Sequence, residues 1–320
     1  MNSLKPLIMV LVCVALLRTL STGYAAVSSP LLIDSDSDFV TNGYPGSGTA
    51  DDPYLIESLQ IDSKGSRSNG IEVTNTHAYF VVARCEIKAD YIGILVQDVA
   101  PGTASLEDNI ITGNTGDGGG IVLGADGVRV VGNTCKGFSE GIHTNYSDEC
   151  VIVGNDLINN NYHGLSLRYS NQNIVANNTI IGNKAHGIFI IRDSKGNTIY
   201  NNTLTENASI KSYEWDEIYH FEVKSQALDV GMGNVWSSEE LKLGNRWSDY
   251  TGSGTYRIDG SANAVDAYPI STGESAEEES KPSEKPGQWA VPGYPVGALA
   301  FGLLLVILLV ARHRAKFRGY

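Results

Sequence analysis

Glu140, His143, His163, Arg168, His186 and Arg192 are the residues of this chain whose types and spacing could do chemistry together. His163 and His186 each stand directly before a glycine, Gly164 and Gly187, and Glu140 holds the same place before Gly141. Arg168 and Arg192 follow those glycines at short range. If the glycines mark one position of a stacked repeat, residues sharing a slot on successive rungs lie about 5 Å apart. The six side chains then form a polar ladder at a strand entrance, expected to be exposed. A ladder of this kind can take the hydroxyls of an extended polymer, or act as a weak acid–base or metal site. The competing reading is a solvated row of polar residues with no ligand. Two histidines without a firm third ligand do not define a metal centre, so neither a metal nor a cofactor is expected, and no residue is assigned as catalytic.

The elements that must hold these residues come from a repeat. Glycine followed by a branched aliphatic recurs at Gly70, Gly93, Gly120, Gly141, Gly164 and Gly187, at steps of 21 to 27 residues. A second register, Asn109, Asn133, Asn155, Asn178 and Asn202, keeps nearly the same step. After each glycine the next and third residues are almost all apolar, as in Ile71 and Val73, Ile94 and Val96, or Leu165 and Leu167. The residue between them varies: Glu72, Leu95, Val122, His143, Ser166 and Phe189. A period of two with one buried face is a β-strand. Strands returning in the same direction every 22–24 residues or so pair in parallel, and a coil of that length is a right-handed parallel β-helix. The fold class is therefore all-β. Glycine before the strand suits a bend with positive φ, asparagine suits a corner ladder, and Ser166, in the middle row, should face outward. Leucine-rich repeats, the rival at this period, need leucine at several fixed slots and a helix on the return leg, and neither is present.

Both ends read as membrane signals. Met1 to Lys5, the apolar run from Leu7 to Leu17 and the small residues Gly23, Ala25 and Ala26 describe a secretory signal peptide over 1–26. Residues 27–62 are read as an N-terminal cap, 63–207 as the coils and 208–272 as a C-terminal cap. Residues 273–288 form an acidic stalk, 289–311 a single C-terminal transmembrane helix, and 312–320 a basic cytoplasmic tail. Pro292-Gly293-Tyr294-Pro295 before that span resembles prokaryotic surface-protein sorting signals, so a sorting or transpeptidase enzyme is a candidate partner. The net charge is −13. Lys5, Arg18, Arg312, Arg314, Lys316 and Arg318 sit in terminal segments without any Asp or Glu, so the remainder is more acidic still. Such a surface repels phosphate backbones, which argues against nucleic acid. Cys85 and Cys135 lie too far apart on the coils to bridge, Cys150 takes the slot of Asn173 and Asn197, and all three are expected as free thiols. Sequons at Asn145, Asn177, Asn201 and Asn207 make a glycoprotein the expectation for a secreted chain.

The opening Asn42-Gly-Tyr-Pro-Gly-Ser-Gly-Thr-Ala-Asp-Asp-Pro-Tyr-Leu-Ile-Glu57 is similar to the start of NosD-like right-handed β-helix surface proteins. Coils such as Asn173-Ile-Val-Ala-Asn-Asn-Thr-Ile-Ile-Gly-Asn183 are similar too. So is the close: Ala227-Leu-Asp229, Gly233-Asn-Val-Trp236, Gly244-Asn-Arg-Trp-Ser-Asp-Tyr250, Val265-Asp266 and Tyr268-Pro269. The resemblance covers roughly 42 to 270. It implies a pectin-lyase-like solenoid, secretion, and a carbohydrate-binding or sugar-hydrolysing module. The family is also named for copper-site maturation, but no Met/His/Cys cluster supports a copper role here. Many relatives carry alternating Asp and Gly after the Trp-Ser-Asp-Tyr motif, which suggests calcium. Here Thr251 to Gly260 holds one Asp. The coils also lack the paired Asp of polygalacturonases and the Asp ladder of lyases. The expectation is a module at a prokaryotic, archaeal-type cell surface that binds carbohydrate or envelope polymer without catalysis. A polysaccharide-active hydrolase or lyase and a purely structural spacer are the alternatives.

Overall fold

A computed structural model describes residues 29–65, 68–191, 193–214 and 220–271. The signal-like start, stalk, apolar span and basic tail lie outside these residues, as does Arg192. Among the described residues no helix is long and apolar enough to cross a membrane.

The chain winds as an all-β, right-handed parallel β-helix of about nine turns. Three parallel sheets of eight, seven and nine strands form its faces. The front sheet stacks Leu31–Ile33, Ile71–Val73, Ile92–Gln97, Gly119–Gly124, Glu140–Asn145, His163–Arg168, Ile188–Ile191 and Ala227–Asp229. Its register follows the repeat: Ile71, Ile94, Ile121, Ile142, Leu165 and Ile188 are direct partners. All six are fully buried, as are their partners two residues on, so the alternating pattern maps onto one inward ladder after another. Pairing begins earlier than the glycine register. Leu31–Ile33, Tyr54–Glu57 and Gln60–Asp62 already form a coil under Ile71–Val73, Phe80–Ala83 and Glu86–Ala89.

The asparagines form the expected corner ladder. Asn109, Asn133, Asn155, Asn178 and Asn202 are buried, and each backbone N–H donates to the side-chain oxygen of the next asparagine at 2.8–3.1 Å. Each amide nitrogen also donates to a carbonyl of the coil below, as from Asn155 to Val130 at 2.9 Å. Buried backbone groups at a corner have no sheet partner, and the ladder supplies one. The ladder ends on Asn245, whose amide donates to Asp266.

The glycines do a different job from the one their position suggests. None of Gly70, Gly93, Gly120, Gly141, Gly164 or Gly187 has positive φ. Instead a β-carbon at Gly141 would lie 2.6 Å from the carbonyl oxygen of Gly164, and at Gly164 2.7 Å from that of Gly187. These glycines are required by the close approach of successive coils, not by a left-handed bend. The left-handed corner is taken by residues just before the asparagines: Asp108, Gly132, Gly154, Asn177 and Asn201.

Both ends of the core are covered. At the bottom the short helix Asp36–Thr41 seats Phe39 on Tyr54, with ring centroids 4.7 Å apart. At the top Trp236, Trp247 and Tyr256 close the core, Trp247 stacking on Tyr256 at 3.9 Å. The indole N–H groups donate to Asp229 (3.0 Å) and Asp266 (2.9 Å), both carboxylates fully buried. The closing motifs of the sequence are thus a cap in which each tryptophan pins an aspartate. Asp259, the lone Asp of the 251–260 stretch, accepts the backbone N–H groups of Lys224 and Ser225, each at 2.7 Å.

Cys135 stands in the aliphatic ladder between Ile111 and Leu157. Cys85 and Cys150 take ladder positions, their N–H groups donating to Asn109 and Asn173. All three are buried free thiols, and burial raises the Cys150 thiol to about 12, which leaves it unreactive.

Candidate functional site

The strand entrances of the front sheet bring Gly119, Glu140 and His163 into one row, and His186 continues it by donating its backbone N–H to His163 Nδ1 at 3.2 Å. The row therefore exists where the spacing places it. Its exposure does not. His163 and His186 are fully buried, and Ser166, expected to face out, is fully buried as well. The cause is a two-stranded hairpin, Ser212–Glu214 and His220–Glu222, whose Tyr213 and Phe221 pack with Phe189, Ala185 and Ile191 in a second apolar cluster outside the coil core. His163 stacks on Phe189 at 4.2 Å between centroids and lies 5.8 Å from His186. Tyr213 Oη bonds His186 Nδ1 at 3.0 Å. Burial holds both imidazoles far below their ordinary value, His186 at about 3, with mutual repulsion a second cause at His163. Both are neutral aromatic packing units.

What remains open is the lower part of the row. Glu140, His143 and Arg168 line a cavity of about 400 Å³ together with Tyr91, Gly119, Val122, Tyr162 and Glu214. Arg168 reaches diagonally back along its strand to grip both Glu140 carboxylate oxygens, at 2.5 and 2.6 Å, and its Nε donates to Ser166 Oγ at 3.0 Å. Both bonds come from the one nitrogen Nη2, a charge-assisted contact rather than the parallel two-nitrogen fork. Burial raises the Glu140 carboxyl above its ordinary value, and Arg168 opposes that shift. His143 Nδ1 stands 3.4 Å from Glu140. Burial, then the Arg168 charge, lowers the His143 imidazole to about 3, so it is neutral at ordinary pH. Its Nε2 is buried and has no hydrogen-bond partner among the described residues. The groove thus has a floor whose formal charges cancel, a neutral imidazole partly open to it, and tyrosines at its sides.

Sequence reasoning found the floor and missed the walls. Tyr162 directly precedes His163 in the slot row and could have been found there. Glu214 could not, because the hairpin carries no repeat signal. Of the sequon residues, Asn177 is exposed, Asn145 and Asn201 are half-buried, and Asn201 donates to Asn177 Oδ1 at 2.6 Å. Asn207 is nearly buried, its amide donating to Ile180 at 2.8 Å and Gln226 at 3.1 Å, so a glycan there requires the ladder to break.

Fold and groove together define a parallel β-helix with a polar, aromatic-sided cleft on one sheet. The family described as "Periplasmic copper-binding protein (NosD)" matches residues 32–252, and the chain belongs to it. That family's periplasmic description is consistent with an extracytoplasmic domain. Among solved structures the chain is similar to the Dettilon tailspike protein (gp208), with a TM-score of 0.45 and 14 % identity over 73 % of this chain. The chain spans about half the length of that tailspike. No curated protein matches it. The donor set here does not fit copper. Among the described residues no three His, Cys, Asp or Glu converge for a metal, the three thiols are locked in separate ladder positions, and His186 Nδ1 is engaged by Tyr213.

Proposed function

We propose that this protein is a surface-exposed or periplasmic β-helix that binds carbohydrate, without catalysis, in the front-sheet groove. The observation that carries this reading is the Glu140–Arg168 ion pair beside a neutral His143 in a tyrosine-sided cleft. Fixed polar groups on adjacent rungs suit hydroxyls of an extended polymer, and tyrosine sides suit its apolar ring faces. Both Glu140 oxygens are engaged by Arg168, which makes Glu140 a poor proton shuttle. Membrane attachment through 289–311, with the ectodomain outside the cell, belongs to the same proposal and rests on the sequence alone.

Screening the full chain against a glycan panel tests the reading. The parent should bind a defined subset of polysaccharides, and His143→Ala should weaken that binding at least about tenfold, the equivalent of roughly 1.4 kcal/mol. Unchanged binding by the variant would move the site elsewhere. A second reading, a hydrolase, is favoured by two carboxylates, Glu140 and Glu214, lining one groove. Release of new reducing ends from a bound glycan, abolished by Glu140→Gln, would replace the first reading with the second.

A further inference from the structure

The coil corner that follows the front-sheet strands is left-handed at Asn75, Asp98, Tyr146, Tyr169 and Asp193, with φ between 49° and 58°. Asn and Asp take this conformation at little cost, whereas a bulky aromatic side chain does so rarely. The corner therefore does not ask for tyrosine, yet two successive coils carry it. Their rings lie parallel, 4.6 Å apart and 1° from coplanar in orientation.

The coil below Tyr146 is one residue shorter at this point. In the strand Leu123 pairs with Thr144. Beyond the corner Ala125 donates to Ser147 and Asp148 to Asp126, so the register has slipped by one. Tyr146 is the residue with no counterpart underneath. One face of its ring rests on Tyr169, and the side chain remains largely open, with the residue 65 % exposed. Tyr146 and Tyr169 directly follow Asn145 and Arg168, which are register partners, so the ring pair begins where the groove-lining Arg168 ends.

We propose that Tyr146, backed by Tyr169, is a stacking platform for one pyranose ring of a neutral polysaccharide whose chain continues into the front-sheet groove. This rests on the carbohydrate reading of that groove. The negative face of an aromatic ring attracts the polarised C–H face of a sugar, and a ring braced from behind loses little freedom on binding. Charge selects the class. Asp98 and Asp126 are exposed around the corner and Asp148 is half-buried beside them, while Arg168, the cation next to the platform, is held by Glu140. Among the described residues around this corner, a uronate or sulfated polymer meets carboxylates and a guanidinium already engaged by Glu140. A nucleobase could stack equally well, but its phosphates would be repelled.

The probes are linear hexamers of neutral hexoses in gluco, manno and galacto configuration, with a hexagalacturonate as the charged comparison, titrated calorimetrically into the full chain. At least one neutral hexamer should bind, and the hexagalacturonate should bind at least tenfold more weakly. Tyr146→Asn should weaken the neutral hexamer at least tenfold and leave the melting temperature unchanged or higher, because Asn is the better residue for a left-handed corner. Tyr146→Phe should keep most of the affinity. If Tyr146→Asn binds like the parent while His143→Ala does not, the platform is wrong and the groove stands. Should no neutral hexamer bind the parent, both fall. Tighter binding of the hexagalacturonate would overturn the neutral class.

Discussion

Replacing Asn155 by leucine should cost about 4 kcal/mol of stability and lower the melting temperature by roughly 10 °C. Asn155 is fully buried in mid-ladder. Its side-chain oxygen accepts the Asn133 backbone N–H at 2.9 Å and the Asn133 amide at 3.1 Å. Its own amide donates to Val130 and to Asn178 Oδ1, both at 2.9 Å. Leucine fills the volume but forfeits these four bonds, each worth about 1 kcal/mol, and leaves the buried Asn133 N–H without its acceptor. Asn114→Ala is the control. That residue is exposed and donates one side-chain bond, to Asp90 at 2.9 Å, so its loss should stay within about 0.5 kcal/mol. Equal thermal shifts for the two variants would show that the ladder does not hold the coils together.

Acid should weaken the protein through His163 and His186. Both are buried and neutral in the folded chain, their affinity for protons depressed far below that of the unfolded chain. Below about pH 6.5 the unfolded chain takes up protons that the folded chain refuses. Their contribution to stability is therefore complete above that pH and is lost progressively as pH falls toward 3. At pH 5 the loss is about 2 kcal/mol for His186, and His163 adds to it in the same direction. Tyr213, Tyr162, Phe189 and Arg168 surround the pair, and none of these favours a second positive charge. Asp259 Oδ2, 4.0 Å from His186 Nε2, favours charge on that ring. The hairpin that carries Tyr213 lies over these rings, so the first event on acidification should be its release from the sheet rather than collapse of the coils. Melting curves of the parent between pH 7.5 and 4.5, compared with His163→Phe/His186→Phe, check this: the double variant should lose the larger part of the dependence over that range and keep the part that His143 supplies. A parent melting temperature flat across it would contradict the burial of the two rings.

The coils were legible because a parallel β-helix repeats its physics at every turn. Inward residues alternate, corner asparagines recur, and a direct pairing such as Ile142 with Leu165 follows from counting. The role of the glycines was misread because flexibility and absence of bulk leave the same letter in a sequence, and only the 2.6 Å approach of Gly164 to a β-carbon at Gly141 separates them. The first coil was missed because Leu31–Ile33 follows Ser29-Pro30 in place of the usual glycine. The site was legible as a row and not as a surface. Nothing in the repeat announces that residues after 208 return to cover His163 and His186. Phe189, an outward-row residue that should be polar if solvated, was the one sign that this face is roofed. The same roof gives the groove a wall in Glu214 and leaves Glu140, His143 and Arg168 as the part of the predicted set that reaches the cavity.

The most direct measurement is a titration of the full chain, labelled with nitrogen-15 in its histidines, with the glycan that it binds best. The account predicts that the His143 ring signals shift in proportion to occupancy, because the ring lines the groove that the glycan fills, while the buried His163 and His186 signals stay where they are. Glycan binding that leaves His143 unmoved, or a chain that binds no glycan at all, would contradict the front-sheet groove as the binding site.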